Sequence, residues 1–394
     1  MTTKNHKTTS GVRAHSWLLQ LYEQGFTPEQ MKETILATLI PEFNDSSILE
    51  RYDIGLLCTE YVNITKIKQV QWVSELYDEC TRIRRKSLRH NPNLCAEICA
   101  NWEQQISGAL SVFWSSANLE QDKTELPIED FAYDVFRIIG SLIEGTLQVY
   151  LKELLHVRSI QEPQSLSFDY VNELSLGTVV RELENMVGKG HFLTLQPWGI
   201  PLNQWRNIGQ HFSIVINDSQ VHCRYGAKNQ HHIALSRAEV LEVARALFLA
   251  FSAFRTSHTI FFLENADALV AHCKGFKRRE SDQMFEFAVA AASQGFEVKD
   301  IKLSEGIATA VLADVTDQDI KKRAIHASQF GYELWMRKRT ERAAIEYVTK
   351  QGKLYLRATM QAVDCERVYN GEKELEWLAQ VVHFQIMPEK ITSQ

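Results

Sequence analysis

The chain has 394 residues, more than a single hydrophobic core usually organises, so its length predicts two or three domains. Its 43 lysines and arginines are outnumbered by 49 aspartates and glutamates, which gives a net charge of −6. This balance excludes a globally basic protein that binds nucleic acid through charge alone. The 45% hydrophobic content is typical of a folded globular protein.

The sequence predicts a soluble, cytoplasmic protein without membrane association. The longest strongly apolar stretch, residues 246–254, is far shorter than the roughly 20 residues that span a bilayer. No apolar segment of a secretory signal follows the first basic residues. Seven cysteines, an odd number scattered along the chain, favour a reducing compartment over a disulfide framework.

The first part of the chain, residues 1–118, is predicted to be a helical region. Thr27-Pro28-Glu29-Gln30 has the pattern of a capped helix start. Apolar spacing predicts helices over residues 16–24, 28–40, 65–89 and 94–114. The first two, joined at Gly25, also fit a DNA-reading helix-turn-helix, which stays an alternative. A polar segment, residues 115–130, contains Pro127 and predicts a domain boundary.

The central part, residues 119–270, is predicted to be a helical bundle. Apolar residues at intervals of three and four predict one long helix over Phe131–Leu154. Asn203 is expected to cap a short helix, and Asn217-Asp218 is expected to form a hairpin turn. The other expected helices cover residues 168–186 and, after a Ser236–Glu239 capping box, residues 237–263.

The last part, residues 281–394, changes to a pattern of strands and helices. The expected strands are residues 296–303, 307–315, 343–349 and 353–359, and the expected helices are residues 317–337 and 374–384. This order predicts a small α+β domain. The fold class is therefore mainly α, with a helical N-terminal region, a central helical bundle and a C-terminal α+β domain.

The central bundle contains the motif Trp205-Arg206-Asn207-Ile208-Gly209-Gln210-His211, in which four residues separate an arginine from a histidine. This spacing alone is not specific, because Arg85 and His90 have it as well. The surroundings distinguish the two pairs. Arg85 lies in a charge run, whereas Arg206 is expected in the first turn of a capped short helix, has apolar neighbours and is followed by Asn207.

An arginine and a histidine can together cleave RNA without a metal. The reaction needs a base for the ribose 2′-hydroxyl, an acid for the leaving 5′-oxygen and positive charge beside the phosphorus. Histidine suits both proton transfers because its side chain ionises near neutral pH. Arginine is always charged and matches phosphate oxygens. Asn207 is expected to hydrogen-bond the phosphate or the histidine, so Arg206, Asn207 and His211 are the predicted catalytic residues.

This motif, with two helices before it and a hairpin and a long apolar helix after it, resembles the HEPN superfamily. The resemblance implies a metal-independent endoribonuclease, often a toxin or phage-defence effector, that dimerises so that both motifs line one cleft. It also implies an acidic residue on an earlier helix facing the motif, for which Glu144 is the candidate. A solvent-exposed role for Glu144 is an alternative. The expected products end in a 2′,3′-cyclic phosphate or its hydrolysis product.

Other residues are candidates for RNA contact or metal binding. Basic clusters predict contacts to the RNA backbone, although such clusters are also common on solvated surfaces. Their candidate residues are Arg84, Arg85, Lys277, Arg278, Arg279, Arg337 and Arg339.

Zinc binding is an alternative for Cys80, His90, Cys95 and Cys99. The spacing of Cys95 and Cys99 instead favours one buried helix face, and no nucleotide-binding loop occurs, so we expect neither metal nor cofactor.

The sequence therefore predicts a regulated endoribonuclease with RNA as its substrate. The expected assembly is a homodimer formed through the central bundle. The flanking regions are expected to sense a trigger or to restrain the nuclease, and a separate neutralising or activating partner is compatible with that role. The alternative is a non-catalytic RNA- or nucleotide-binding interaction protein of the same fold.

Overall fold

The computed structural model of the chain describes residues 16–52, 54–117, 126–190, 192–217, 219–226, 230–273 and 280–387. In these ranges the chain is mostly helical and has a sheet near its C-terminus, as the sequence predicts. Lys277, Arg278 and Arg279 lie outside the described residues, as do residues 118–125 of the predicted boundary segment.

Among the described residues before 118 there are five α-helices: α1 (Ser16–Glu23), α2 (Pro28–Leu39), α3 (Ile54–Lys68), α4 (Gln71–His90) and α5 (Pro92–Ala117). The predicted cap of α2 is confirmed. The Thr27 amide donates to Gln30 Oε1 at 2.9 Å, and the Gln30 amide donates to Thr27 Oγ1 at 3.3 Å. The single helix predicted over residues 65–89 is wrong, because extended backbone at Val70 separates α3 from α4.

The next segment contains α6 (Ile128–Leu142), one π-helical turn (Ile143–Leu147), α7 (Gln148–Ser159), α8 (Phe168–Glu173) and α9 (Leu176–Val187). The structure corrects two predictions here. The helix expected over Phe131–Leu154 contains the π turn. The helix expected over residues 168–186 is broken, because Ser175 is extended and its hydroxyl accepts from the Thr178 amide to begin α9.

A short strand pair, β1 (Thr194–Leu195) and β2 (Ile200–Pro201), leads into α10 (Leu202–His211). The predicted hairpin follows as β3 (Ile214–Asn217) and β4 (Gln220–Tyr225). A third strand that the sequence analysis missed, β5 (His231–Leu235), pairs antiparallel with β4 and completes a small sheet.

Helix α11 (Arg237–Glu264) begins at the predicted capping box, in which the Ser236 amide donates to Glu239 Oε2 at 2.7 Å. A short helix, α12 (Ala266–Val270), follows it. By length and composition α11 is apolar enough to cross a membrane, but 67% of its most apolar window is buried inside the structure. This burial agrees with the expectation of a soluble protein, in which α11 is an interior helix.

The C-terminal part has a five-stranded sheet in the order β10-β9-β8-β7-β6, in which only β7 and β8 are parallel. Its elements are α13 (Glu280–Ser293), β6 (Phe296–Ser304), β7 (Ile307–Asp314), α14 (Ile320–Ser328), α15 (Phe330–Lys338), β8 (Arg342–Val348), β9 (Leu354–Gln361), α16 (Ala362–Tyr369), α17 (Leu378–Val381) and β10 (His383–Ile386). Both predicted hairpins are confirmed. The closing helix predicted over residues 374–384 is shorter than expected: residues 375–381 are helical, but residues 383–386 pair with β9 as a strand.

The chain divides into two compact units, and the division differs from the three predicted ranges. One unit contains Met1–Ala37, Leu49–Thr59 and Arg278–Gln394, and the other contains Thr38–Ile48 and Glu60–Lys277. In the first unit the Tyr22 hydroxyl of α1 donates to the Ser293 carbonyl of α13. In the second unit α4 packs along α11, and α5 along α7. Residues 1–118 are therefore shared between the units, because their apolar faces pack against helices from later in the chain.

The second unit buries a neutral histidine on α7. His156 Nδ1 accepts from the indole of Trp102 at 3.0 Å, and His156 Nε2 lies 3.0 Å from the Leu166 carbonyl. Because an indole only donates, Nδ1 carries no proton and Nε2 donates to the carbonyl. Burial lowers the pKa of His156 and favours this neutral form.

We expect acid to destabilise the second unit through His156. Its unfolded-state pKa is about 6.5 and its folded-state pKa is lower, so the unfolded state binds more protons as the pH falls. The free energy of unfolding should therefore fall from pH 7.5 to pH 5.5 in urea titrations. His156→Gln, which cannot titrate, should show a smaller fall. An equal fall in His156→Gln would contradict this account.

Candidate functional site

The predicted motif lies on α10, a ten-residue helix of the second unit. Its N-cap is Pro201, whose extended backbone (φ −62°, ψ 149°) begins the helix without a side-chain cap. The prediction that Asn203 caps this helix is wrong, since Asn203 lies inside its first turn. The helix ends at Phe212, whose backbone is left-handed, so His211 is its last residue.

Helix α10 packs directly against α6 through two glycines, Gly209 and Gly140. A Cβ atom added at Gly209 would lie 2.7 Å from the carbonyl oxygen of Phe136 and 2.9 Å from the amide nitrogen of Gly140. A Cβ atom added at Gly140 would lie 3.2 Å from the Gly209 carbonyl carbon. The two backbones are in contact, which only glycine permits. Gly209 thus serves the packing of α10 against α6.

This contact places Arg206 of α10 beside Glu144. Arg206 Nη2 donates to Glu144 Oε1 at 2.9 Å, and Arg206 Nη1 donates to Asn207 Oδ1 at 3.3 Å. Arg206 Nε is buried and has no hydrogen-bond partner in the described part of the chain. The side chains of Arg206 and Glu144 are 28% and 43% exposed, so ligands can reach their ion pair from solvent. Three of the four predicted catalytic residues are therefore in direct contact.

Glu144 owes its position to the π turn after α6. Such turns add one residue to a helical turn and often occur at functional sites. Gly145 lies so close to α5 that an added Cβ atom would be 2.8 Å from a methyl group of Val112. This packing holds the turn against α5, while the exposed side chain of Glu144 reaches Arg206. The sequence pattern alone predicts a regular helix here.

His211 lies at the C-terminal end of α10 and is exposed. Among the described residues its ring makes no hydrogen bond, so both ring nitrogens are open to a ligand. Five residues correspond to about 140° of helix rotation, so Arg206 and His211 leave α10 in different directions. The motif of one chain thus offers two separate contacts.

Two of the predicted RNA-binding arginines are structural, and that prediction is corrected. Arg84 is fully buried; its Nη2 donates to Glu153 Oε2 at 2.5 Å and its Nη1 donates to Ser257 Oγ at 3.1 Å. Arg85 donates to Glu264 Oε1 at 2.9 Å and to the Glu42 carbonyl at 2.6 Å. Both belong to the amphipathic helix α4. These two arginines join helices together, whereas Arg82, Lys86 and Arg89 of the same charge run are exposed.

The C-terminal basic cluster divides in the same way. Arg337 is partly buried, and its Nε donates to the Gln283 carbonyl at 3.0 Å, so it contributes to packing in its own unit; RNA contact stays a prediction for this residue. Arg339 is exposed, with its guanidinium carbon 4.3 Å from the centroid of the Trp335 ring and 4.0 Å from that of Tyr369. RNA contact stays a prediction for Arg339.

The cysteines considered for zinc are buried. Cys80, Cys95 and Cys99 lie in the interior of the second unit, and burial raises the pKa of the Cys80 thiol to about 12. A thiol of this kind stays protonated, whereas zinc binds the thiolate. Within the described ranges no group of three or more histidine, cysteine or acidic side chains is arranged to hold a metal ion.

Two aromatic residues beside the motif were missed by the sequence analysis. Phe212 follows His211 directly, and its ring centroid lies 5.5 Å from that of Tyr133 on α6. The position of Tyr133 in the sequence could have indicated an exposed aromatic residue near the motif. It lies outside the apolar stripe of its helix, on the side that carries Arg137 and Glu144.

Comparisons with known proteins leave this site to be interpreted from its own residues. No model of a known protein family matches the chain, and neither a curated protein sequence nor a solved structure is significantly similar to it.

We expect Gly209→Ala to destabilise the second unit. The new methyl group meets backbone atoms that cannot move aside, and overpacking of this kind costs about 1–3 kcal/mol of unfolding free energy. The matched control is Gly108→Ala on α5, where an added Cβ atom meets nothing within 4 Å. This control should gain up to about 1 kcal/mol from helix propensity. Urea denaturation measures both changes, and a Gly209→Ala protein as stable as the wild type would contradict the close helix contact.

Proposed function

We propose that the chain is a metal-independent endoribonuclease of the HEPN type. The observation that carries this proposal is the pairing of Arg206 with Glu144 at a solvent-accessible position. Arg206 lies on the same short helix, α10, that ends in the exposed His211. An exposed ion pair contributes little to stability, so a phosphate group can replace Glu144 on Arg206 at low energetic cost. Glu144 then serves to hold the guanidinium in place before RNA arrives.

The proposed reaction is the attack of a ribose 2′-oxygen on the adjacent phosphorus. An imidazole nitrogen of His211 takes the 2′-hydroxyl proton, the 2′-oxygen bonds to phosphorus, and the 5′-oxygen leaves with a proton from an acid. Arg206 stabilises the charge that develops on the phosphoryl oxygens. Asn207, already bonded to Arg206, orients the guanidinium. The products would be a 2′,3′-cyclic phosphate and a 5′-hydroxyl.

The proposed active form is a homodimer formed through the central helices. One chain directs Arg206 and His211 about 140° apart around α10, whereas two antiparallel copies would place two arginines and two histidines around one phosphate. One histidine would then serve as the base and the other as the acid. A role as a regulated toxin or phage-defence effector, restrained or activated by a partner, is part of the same proposal.

We expect His211→Ala to abolish RNA cleavage in the presence of excess EDTA. Loss of a general acid-base group costs about 100- to 10,000-fold in rate. Purified protein is incubated with total RNA and the fragments are resolved on gels. The matched control is His90→Ala, because His90 also ends a helix, is exposed and follows an arginine at the same spacing. This control should cleave as the wild type does.

Two outcomes would redirect the assignment. Cleavage that persists unchanged in His211→Ala would remove His211 from the mechanism. A wild-type protein that binds RNA but does not cleave it, even with candidate activators, would favour the alternative of a non-catalytic RNA-binding protein that uses the same surface.

A further inference from the structure

An exposed pair of aromatic rings lies directly beside the proposed catalytic histidine. Phe212 is 41% exposed and Tyr133 is 47% exposed, and the planes of their rings are inclined at 49°. Large aromatic side chains of a globular protein usually contribute to its core. Here two aromatic side chains stay exposed and contact each other, and one of them, Phe212, directly follows His211. Such a pair indicates a surface that binds a flat apolar partner.

The backbone of Phe212 supports this interpretation. Its φ of +45° and ψ of 46° are left-handed, a conformation at helix ends that strongly favours glycine. Three hydrogen bonds hold it: the amides of Phe212 and Ser213 donate to the Ile208 carbonyl, and the Ile214 amide donates to the Phe212 carbonyl. Glycine would satisfy these bonds without strain. An aromatic ring kept at such a position indicates a role for the ring itself.

The contact between α6 and α10 relates this aromatic pair to Arg206. The two helices run antiparallel, so that Arg206 meets Glu144, Gly209 meets Gly140, and Phe212 meets Tyr133. Phe212 lies six positions after Arg206, which corresponds to about 9 Å along the helix axis. The aromatic pair and the proposed phosphate site therefore lie at the two ends of one helix contact, with His211 next to the rings.

An exposed cation lies between the two ends. Arg137 is one turn after Tyr133 on α6, and its guanidinium pairs with Asp134 at 3.2 Å in an ion pair on one helix surface. The Arg137 side chain is 62% exposed, and such pairs contribute little to stability. Arg137 is thus free to turn toward a phosphate of a chain that passes from the rings to Arg206.

We propose that Phe212, supported by Tyr133, is a stacking platform for an unpaired base next to the cleaved phosphate. The inference rests on the proposed nuclease function and adds its substrate class, which is single-stranded RNA. An aromatic side chain stacks on a base only when that base has left its neighbours, so duplex RNA is a poor substrate. Stacking accepts any base, so the platform selects unpaired structure rather than sequence.

The test measures binding of a short single-stranded RNA that carries a 2′-O-methyl group at every ribose and cannot be cleaved. Phe212→Gly removes the ring and also relieves the backbone strain, so the fold is retained. We expect it to weaken binding about 5- to 150-fold, as loss of one stacked base does. Phe212→Trp should bind at least as tightly as the wild type. The control Val215→Ala changes a neighbouring side chain that is 47% exposed but not aromatic, and it should bind normally.

Abasic RNA identifies the stacked base. Scanning an abasic site along the oligonucleotide should reveal one position that weakens wild-type binding, and Phe212→Gly should be indifferent to that position. Unchanged affinity of Phe212→Gly would overturn the platform, as would a wild-type protein that binds no single-stranded RNA. If Phe212→Gly is monomeric in sedimentation equilibrium and its RNA affinity per chain is unchanged, the rings belong to an interface between copies. This result would also overturn the platform.

The outcomes separate this inference from the proposed nuclease function. Suppose that Phe212→Gly binds RNA more weakly and that His211→Ala still cleaves RNA as the wild type does. The platform then stands, and the proposed mechanism is removed. Unchanged binding and cleavage by Phe212→Gly, together with loss of cleavage in His211→Ala, would remove the platform and leave the nuclease.

Discussion

The candidate site depends on the contact between the backbones of α6 and α10. Gly140 and Gly209 let the two helices touch without intervening side chains, and no larger residue fits at Gly209 without displacing the Phe136 carbonyl. Once the helices touch there, their antiparallel direction determines the remaining pairs, Arg206 with Glu144 on one side and Phe212 with Tyr133 on the other. Two residues without side chains thus determine which side chains meet.

The burial of the glutamate partner distinguishes two arginines with the same sequence pattern, because the Glu264 side chain is 7% exposed and the Glu144 side chain is 43% exposed. Arg85 and Arg206 both precede a histidine by five positions, yet Arg85 is bound to Glu264 and the Glu42 carbonyl between helices. Arg84 is buried completely with Glu153, and removal of either partner would leave an uncompensated charge in the interior. Arg206 pairs only at a solvent-accessible position, so it can change partners. A charge run in the sequence does not reveal this difference, because it depends on the helix that packs over it.

Features with local causes could be predicted from the sequence, whereas features set by distant packing could not. The capping boxes at Thr27 and Ser236 and the two C-terminal hairpins depend on residues a few positions apart. The π turn before α7 depends on packing against Val112, and strand β10 depends on an open edge of β9. The motif and Glu144 were identified from the sequence. Phe212 and Tyr133 were not, because only the contact between α6 and α10 brings them together.

The proposed function combines an always-charged group, a proton-transferring group and an exposed aromatic pair along one helix contact. The net charge of −6 disfavours indiscriminate RNA binding. Its central claim is that the 2′-hydroxyl of RNA is the nucleophile. Mass spectrometry of the ends of the RNA fragments tests this claim most directly. Fragments that end in a 2′,3′-cyclic phosphate or its hydrolysis product, with a 5′-hydroxyl on the other fragment, are the predicted result. Fragments with a 3′-hydroxyl and a 5′-phosphate would contradict it.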